Sequence, residues 1–554
     1  MPAAWIPSPK NPEILMDNLR FVLFLLLGLL SYMAWEQWQI DYVIRPAAQI
    51  NPALDPAAVT APPPAAGGAA QPENAATAPA AGNKRIRVAT DLLRLEIDTQ
   101  GGDIRVMDLL AYPDAKDQPD KKVRLLNDDP ADWHIVQSGL LTSSGDAPNH
   151  LAIWQAESDS FALAEGQDAL RVPLTWRDAK GVSVTKTFVF KRGSYLIGVE
   201  HAVKNDSDAA WRARPYTQLQ RARPAKSGSQ LVRSYTGGVY YNAEDKYKKL
   251  DFDDMEGSNL NRTATGGWFA MIQHYFVAAW IPPAEGKNTF YSKKLPGMRY
   301  LLGASSDDIE VPAGQQATVS AGLFAGPKLQ KQMEQAATGL ELTEDYGVLT
   351  VIAKPIFWLM QKSYGLFHNW GIAIITVTLV IKLLFYKLSE SSYRSMARMR
   401  KLQPRLQSLK EQFGSDKQRF NQAMMDLYRK EKVNPLGGCL PILIQIPVFI
   451  SLYWVLAESV QLRQAPFFLW LDDLSAMDPY FLLPLLMGVT MWIQQKLNPS
   501  SMDPMQEKIL KMFPFIFTVF FAFFPSGLVL YWVVNNSLSI VQQWHITRVI
   551  ERSA

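Results

Sequence analysis

The chain has almost no cysteine. Cys439 is the one cysteine in 554 residues, so no disulfide can form within the chain, and zinc sites built from paired cysteines are excluded. Neither sign of charge predominates, because the formal net charge is only +4. For a chain of this length, such a balance does not indicate a nucleic-acid binder. What matters is therefore where the charged and apolar residues lie.

Sequence motifs of common enzymes are missing as well. The chain has no GxxxxGK(S/T) phosphate loop, no HExxH metal motif and no GxSxG nucleophile elbow. Its long apolar runs carry no pair of aspartates of the kind that an intramembrane aspartyl protease needs. The sequence therefore predicts a protein that is not an enzyme and that uses neither a metal nor another cofactor.

The first apolar run follows a short segment that contains Lys10 and Arg20. Its exit, SYMAWEQWQ, has bulky residues where a signal peptidase needs small ones, so residues 1–40 are predicted to be a cytoplasmic end and an uncleaved signal-anchor helix. A cleaved signal peptide is the alternative. Between positions 46 and 82, 26 of 37 residues are Pro, Ala or Gly, a composition that cannot build a core. Residues 41–84 are therefore predicted to be a linker.

Residues 85–340 contain many short strand patterns. In segments such as VSVTKTFVF and YLIGVEHAV, β-branched and aromatic residues alternate with polar ones, and Gly, Asp, Asn and Pro cluster between the segments. This pattern predicts an all-β sandwich. Its histidines show no ligand spacing and are interpreted as surface or core residues. Trp211 and Tyr240 would suit a sugar-binding surface if they were exposed.

Beyond residue 340 the pattern becomes helical and apolar. Residues 341–364 combine aromatic residues with Lys354 and Lys362, which predicts an amphipathic helix lying along the membrane surface. An ordinary linker helix is the alternative. Further apolar segments lie at 365–388, 436–457, 480–494, 512–524 and 526–544. FPSG divides the last two and indicates a tight turn. With the signal anchor, the segments predict six transmembrane helices, the last four within residues 435–546.

The loops between these segments differ in charge. Residues 387–433 contain twelve Lys or Arg against five Asp or Glu, whereas residues 458–479 contain one Arg against four acidic residues. By the positive-inside rule the first loop is cytoplasmic and the second lies outside. Six spans then put both termini in the cytoplasm, including the short tail 547–554, and the sandwich outside. This arrangement predicts a bacterial inner-membrane protein with a periplasmic domain.

The basic cytoplasmic loop, residues 389–434, is itself helical in pattern. Two segments with apolar residues at spacings of three and four flank the turn signal GSD, which predicts a helical hairpin. An adaptable docking surface is predicted at Met396, Met399, Arg400, Met424 and Met425. Packing between the two arms explains the methionines equally well, and the outer face of the hairpin suits anionic lipid headgroups.

Lys382 is a charge inside the apolar stretch ITVTLVIKLLFYKL. An intramembrane charge indicates a functional role, although the stem of Lys382 could also snorkel to the inner membrane surface. Thr378 lies four residues earlier on the same helix face. Neighbouring spans contribute the polar residues Gln445, Ser451 and Asn535. Together these residues predict a hydrated polar groove, and isolated interhelical hydrogen bonds are the alternative.

Three long motifs lie in the apolar half of the chain: NPLGGCLPILIQIPVF (434–449), LRQAPFFLWLDDLSAMDPYFLLPLLMGVTMW (462–492) and FPSGLVLYWVVNN (524–536). They resemble the YidC/Oxa/Alb family of membrane protein insertases. The sandwich and the anchor are similar to the Gram-negative subgroup. The resemblance implies a periplasmic β-supersandwich and a five-helix core. It also implies insertion and folding of inner-membrane proteins, alone or with the Sec translocon, through a hydrophilic groove that bears a positive charge.

The resemblance also assigns residues and partners. Lys382 stands at the position of the family's positive charge, which is usually arginine; lysine keeps the charge but lacks the bidentate guanidinium. Tyr531 and Trp532 stand where aromatic residues line the groove. The implied partners are nascent inner-membrane proteins, the Sec translocon with its accessory membrane subunits, and phospholipids. The signal recognition machinery and the ribosome are candidates, although the tail lacks the basic extension that some relatives use on ribosomes.

Two other functions stay open on the residues alone. A transporter or channel would use Lys382 in an ion path, and inverted repeats would support it, but the sequence shows none. A periplasmic binding or assembly module anchored by the six spans is the second alternative.

Overall fold

The computed structural model describes residues 84–142, 147–224, 235–413, 416–431, 440–497 and 504–552. The predicted signal anchor, nearly all of the linker and Cys439 lie outside these ranges. The described residues form two compact units. The first contains the residues up to Trp358 together with Ile450–Ala465, and the second contains Leu359–Phe449 and the residues from Pro466 onward.

The first unit is rich in β-structure. Its strands among the described residues are β1 Arg85–Ala89, β2 Leu93–Asp98, β3 Asp103–Ala115, β4 Gln118–Leu126, β5 His134–Leu141, β6 Gln155–Ala156, β7 Ser160–Ala162, β8 Ala169–Arg177, β9 Val182–Lys191, β10 Leu196–Asn205, β11 Trp211–Ala222, β12 Gly237–Asn242, β13 Lys246–Leu250, β14 Asn261–Thr265, β15 Trp268–Gln273, β16 Phe276–Ile281, β17 Lys287–Leu295, β18 Arg299–Ser306, β19 Ile309–Val311 and β20 Gln316–Pro327.

These strands form two sheets. One runs in the order β14-β17-β18-β11-β5-β3-β2-β1-β7, with β19 beside β11 and β4 beside β3. The other runs β13-β12-β15-β16-β20-β10-β9-β8-β6. The strands β1 and β7 pair in parallel, while the ladders between the long central strands are antiparallel. The prediction of a β-rich part followed by a helical part is confirmed.

Alternating side chains build the core of the β-rich unit. In β10, Ile197, Val199, His201 and Val203 are buried, while Gly198, Glu200 and Ala202 between them are more exposed. Such alternation follows from the two-residue period of a strand. Trp268 and Trp280 are almost completely buried in the same core, which gains about 25 cal/mol for each Å² of apolar surface removed from water. The hydrophobic effect therefore holds the sheets together.

The suggested sugar-binding aromatics are not on the surface. Trp211 is 6% exposed and Tyr240 is 7% exposed, and both belong to the hydrophobic core. Tyr240 also stacks near Phe290, with ring centroids 6.3 Å apart. The suggestion that these two rings form an exposed carbohydrate platform is therefore wrong, because their apolar area is already used for packing.

Three histidines of the β-rich unit are buried, which lowers their pKa values. Burial, reinforced by Arg105 and Lys186, lowers the pKa of His150 to about 4. Burial and then Lys186 lower the pKa of His201 to about 3. Burial also holds the pKa of His134 well below its usual range. These side chains therefore stay neutral in the folded protein at pH values where the unfolded chain binds protons.

We expect these histidines to destabilise the β-rich unit as the pH falls below about 6.5. Since their folded pKa values lie below the unfolded value, each contributes a loss of about 1.4 kcal/mol per pH unit in that window. Asp103 acts in the opposite direction, because burial raises its pKa to about 6. The measurement compares the thermal midpoints of the full-length wild type and His201→Gln between about pH 6.5 and 5. As the pH falls, the midpoint of the wild type should decrease relative to that of the variant, because the variant lacks one histidine contribution. Parallel pH profiles would contradict the neutral state of His201.

Helices make up the second unit, and two short helices lie within the β-rich unit. Among the described residues they are α1 Phe252–Gly257, α2 Gln330–Ala336, α3 Thr350–Phe367, α4 Trp370–Leu384, α5 Tyr386–Phe413, α6 Lys417–Lys430, α7 Leu440–Glu458, α8 Leu482–Leu497, α9 Pro504–Phe521 and α10 Ser526–Arg552. The first two belong to the β-rich unit, and α3 and α7 each have residues in both units.

Helix ends differ from the predicted boundaries in two places. Helix α3 continues through Pro355 to Phe367, so this helix ends a little after the predicted boundary at residue 365. Asn369 then begins α4, because its side chain accepts a hydrogen bond from Ile372 N at 3.0 Å, and such a cap fixes a helix start. At the other end, α4 stops at Leu384, before the predicted boundary at 388.

The helices of the described residues differ in length and in apolar character. Within the described residues, no single helix is both long and apolar enough to cross a membrane. Helices α4 and α5 meet the requirement together, with a bend of 66° between them. Shorter apolar helices occur at Ile444–Glu458 and Leu510–Phe521.

Candidate functional site

Lys382 lies in the last turn of α4 and turns toward α10. Its Nζ donates a hydrogen bond to Ser539 Oγ at 2.7 Å, and the side chain is partly buried. A cation in the last helical turn is favoured by the partial negative charge at the helix C-terminus. The ammonium is therefore held by one side-chain oxygen and by the end of its own helix.

Ser539 connects Lys382 to two further groups. Its hydroxyl donates to Asn535 O at 2.8 Å, and the residue is 3% exposed. Tyr393 of α5 lies beside Ser539 and is 8% exposed. Three helices, α4, α5 and α10, thus meet at one buried hydroxyl, which forms the polar centre of the helical unit.

Ser539 and Tyr393 were not among the groove residues predicted from sequence. A signal for Ser539 exists, since it lies four residues after Asn535 and therefore on the same face of α10. For Tyr393 no local signal exists, because it lies beyond the bend that separates α4 from α5.

Thr378 does not extend this centre. It lies one turn before Lys382 and is 1% exposed, but its Oγ1 donates to Ile374 O at 2.7 Å. A hydroxyl bonded to the carbonyl four residues earlier is satisfied within its own helix. Thr378 therefore shares the helix face of Lys382 without supplying a free donor toward it.

A second polar contact lies among aromatic rings. Gln445 Nε2 donates to Tyr531 Oη at 3.4 Å, and Tyr531 is 1% exposed. The ring of Phe449 lies 6.2 Å from that of Tyr531 and 5.1 Å from that of Trp532. Trp532 Nε1 has no hydrogen-bond partner among the described residues. Tyr531 and Trp532 therefore line an aromatic region of α7 and α10 that contains one unsatisfied donor.

Asn535 and Ser451, two residues of the predicted groove, belong to different units. Asn535 is 5% exposed on α10, and its backbone carbonyl accepts the Ser539 hydroxyl. Ser451 is completely buried, but it belongs to the segment Ile450–Ala465, which is part of the β-rich unit. The structure thus brings Asn535 next to Lys382 through Ser539.

The loop before α8 is packed closely onto the start of α4 and α10. Asn369 Nδ2 donates to Phe467 O at 3.3 Å, and Ser526 Oγ donates to Asp473 O at 2.8 Å. A Cβ on Gly371 would lie 1.9 Å from a ring carbon of Phe467, so only glycine allows this approach. The end of the helical unit opposite Lys382 is therefore covered by packed side chains.

The helical hairpin formed by α5 and α6 uses two of its methionines for internal packing. Met399 and Met424 pack against Leu402 and Leu406, which are 7% and 3% exposed. The flexible thioether side chain fills irregular gaps of this kind. Met399 and Met424 thus follow the alternative of packing between the arms.

The other three residues of the predicted docking surface differ in the exposure of their side chains. Met425 is 43% exposed, Arg400 is exposed and Met396 is partly buried. Arg405 Nη1 and Glu431 Oε1 form an ion pair at 2.6 Å between the arms. The outward face of the hairpin is therefore basic, with one exposed methionine.

Side chains that could bind a metal are scattered across the described residues. Over the part of the chain that the structure describes, no group of three or more His, Cys, Asp or Glu side chains is placed to hold a metal ion. His274, for example, uses Nε2 in a 2.7 Å contact with Ala457 O within the β-rich unit.

Comparison with known proteins gives matches over nearly the whole chain. Residues 85–359 match the family described as YidC periplasmic domain, and residues 362–553 match the family described as 60Kd inner membrane protein. The membrane protein insertase YidC of Methylococcus capsulatus is 59% identical over 542 residues, covering 97% of this chain and 99% of the relative. That of Thioalkalivibrio sulfidiphilus is 49% identical over 558 residues, covering 97% and 99%.

A solved structure is also similar. It is described as an active YidC insertase with the first transmembrane domain resolved. The sequence identity is 19%, the match covers 83% of this chain and 92% of that chain, and the TM-score is 0.39.

Proposed function

The chain belongs to the YidC family of membrane protein insertases, and from this premise we propose that it inserts inner-membrane proteins and helps them to fold, alone or with the Sec translocon. The observation that carries the proposal is the position of Lys382. Its ammonium turns to a buried hydroxyl on α10, where a passing substrate can meet a positive charge inside the helical unit.

The proposed topology has six spans. The signal anchor is the first, and α4, α7, α8, α9 and α10 form a five-helix core, with both termini in the cytoplasm and the β-rich domain in the periplasm of a Gram-negative bacterium. The charge of the loops supports this orientation. Helix α4 has 15 residues, or roughly 22 Å at 1.5 Å per residue. Since a hydrocarbon core measures about 30 Å, so short a helix favours a locally thinned bilayer.

The proposed mechanism has no covalent step. A substrate presents a short polar flank from the cytoplasm, and Lys382 attracts acidic residues of that flank. The flank then crosses the thinned membrane while the apolar segment moves into lipid, which releases about 25 cal/mol per Å² of buried apolar surface. The packed loop around Phe467 supports a groove closed on the periplasmic side. No nucleotide is consumed by this chain.

Partners follow from the same proposal. Nascent inner-membrane proteins enter the groove, phospholipids receive them, and the Sec translocon with its accessory membrane subunits acts beside the chain. The exposed residues Arg400 and Met425 make the outward face of the hairpin the candidate docking surface for the signal recognition machinery or the ribosome. Met396 lies at the edge of this face.

Site-specific crosslinking tests the proposal. A photoreactive residue at Gln445 or Trp532, both partly buried, should crosslink to an arrested nascent membrane protein, because both positions lie along the proposed groove. The matched control is Glu165, which is exposed in the β-rich unit and should not crosslink. Crosslinks at Glu165 alone would favour an anchored periplasmic binding module. An absence of crosslinks together with ion conduction by the purified protein in vesicles would favour a channel.

A further inference from the structure

The hydroxyl of Ser539 both donates and accepts a hydrogen bond. A serine hydroxyl has one donor and two acceptor positions. The donor is used on Asn535 O, and an acceptor position faces Lys382 Nζ. Because Asn535 O fixes the direction of the O–H bond, the lone pairs of the oxygen have fixed directions too. Lys382 therefore meets an oriented acceptor.

An unanchored lysine would behave differently at this position. The lysine side chain is flexible, and in an apolar helix it extends toward the nearest water. The next two residues, Leu383 and Leu384, are 72% and 75% exposed. Beside the lysine, the surface of α4 is therefore apolar and exposed. The hydrogen bond to Ser539 keeps the ammonium turned to α10.

Tyr393 lies beside the same hydroxyl. It is in α5, beyond the 66° bend that ends α4, and it is 8% exposed. Residues of α4, α5 and α10 therefore surround Ser539 next to the lysine.

We propose that Ser539 is the positioning residue of the insertion reaction. It holds the Lys382 ammonium toward the interior of the helical unit, where the acidic flank of a substrate meets it, and Tyr393 completes the arrangement. The inference rests on the proposed insertase function. Ser539 acts through Lys382, so it should control how strongly insertion depends on the charge of the flank.

The test uses the full-length protein in vesicles and a single-span substrate. One substrate copy carries two aspartates in the translocated flank, and the other carries asparagines. Ser539→Ala should reduce insertion of the aspartate copy about tenfold, the effect expected for loss of a hydrogen bond to a charged group, and should leave the asparagine copy nearly unchanged. Ser539→Thr, which keeps the hydroxyl, should restore the preference for the aspartate copy.

Ser537→Ala is the matched control. Ser537 Oγ donates to Val533 O at 2.7 Å on the same helix, so the variant loses a similar intrahelical bond without touching Lys382, and it should insert both copies normally. In a Lys382→Ala background, Ser539→Ala should cause no further loss, because residues that act as one unit are not additive.

Three results would overturn the positioning role. They are equal losses for both substrate copies, failure of Ser539→Thr to restore the charge preference, and additive losses in the double variant. The outcome for the proposed function is separate: if Lys382→Ala leaves insertion of the aspartate copy unchanged, the charge role of the groove fails, whatever Ser539 does.

Discussion

Lys382→Glu should lower insertion of substrates with an acidic flank at least a hundredfold. Two unit charges at about 4 Å interact with about 4 kcal/mol at an effective dielectric constant of 20, and the substitution turns this attraction into repulsion. The fold should survive, because the Ser539 hydroxyl can turn from Asn535 O and donate its hydrogen bond to the new carboxylate instead. The measurement is the fraction of a radiolabelled single-span protein that becomes protected in vesicles containing the variant.

Two further variants separate charge from shape at this position. Lys382→Arg should be tolerated, since it keeps the positive charge and adds donors, whereas Lys382→Ala should insert at an intermediate level. If Lys382→Glu and Lys382→Ala both insert every tested substrate as the wild type does, the positive charge has no role in insertion. Chain abundance and thermal unfolding of each variant show whether a loss arises from folding instead.

Asp478→Ala should destabilise the helical unit by about 3 kcal/mol or more. Asp478 is 1% exposed and accepts hydrogen bonds from Trp470 Nε1 at 3.0 Å, Tyr480 N at 3.0 Å and Leu483 N at 2.7 Å. Between the two backbone donors lies Phe481, whose φ of 56° is in the left-handed region, a strained conformation for a phenylalanine. Removing the carboxylate leaves buried donors unpaired and frees this turn.

Asp478→Asn is the control for that prediction. Its amide keeps one acceptor oxygen, so it should lose less stability than the alanine variant. The measurement is the thermal midpoint followed by tryptophan fluorescence in detergent, together with protease cleavage of the loop before α8. Identical midpoints for the wild type and Asp478→Ala would contradict the structural role of the carboxylate.

Local patterns in the sequence predicted the β-rich part well. The alternation in YLIGVEHAV matches the alternating burial of β10, because side chains of a strand point to opposite faces whatever its partners are. The same patterns could not show that Trp211 and Tyr240 are buried. Whether a ring is covered depends on the facing sheet, whose strands come from distant parts of the chain.

The candidate site, too, could be predicted only in part from the sequence. The lone charge of Lys382 in an apolar helix is visible in the sequence, and so is the resemblance of the motifs at 434–449, 462–492 and 524–536 to the insertase family. The hydrogen-bond partner of Lys382 is not visible, because Ser539 lies 157 residues away. Met399 and Met424 also needed the structure, since spacing alone suits both docking and packing.

By itself, the sequence determined the polar or apolar character of each segment, the strand or helix period, the charge of the loops and the family. All of these depend on residues that are neighbours in the chain. Tertiary structure decided which oxygen holds the Lys382 ammonium, which hairpin methionines stay exposed, and that Ile450–Ala465 belongs with the β-rich unit. These are contacts between residues far apart in sequence, and they depend on packing, which local periodicity does not encode.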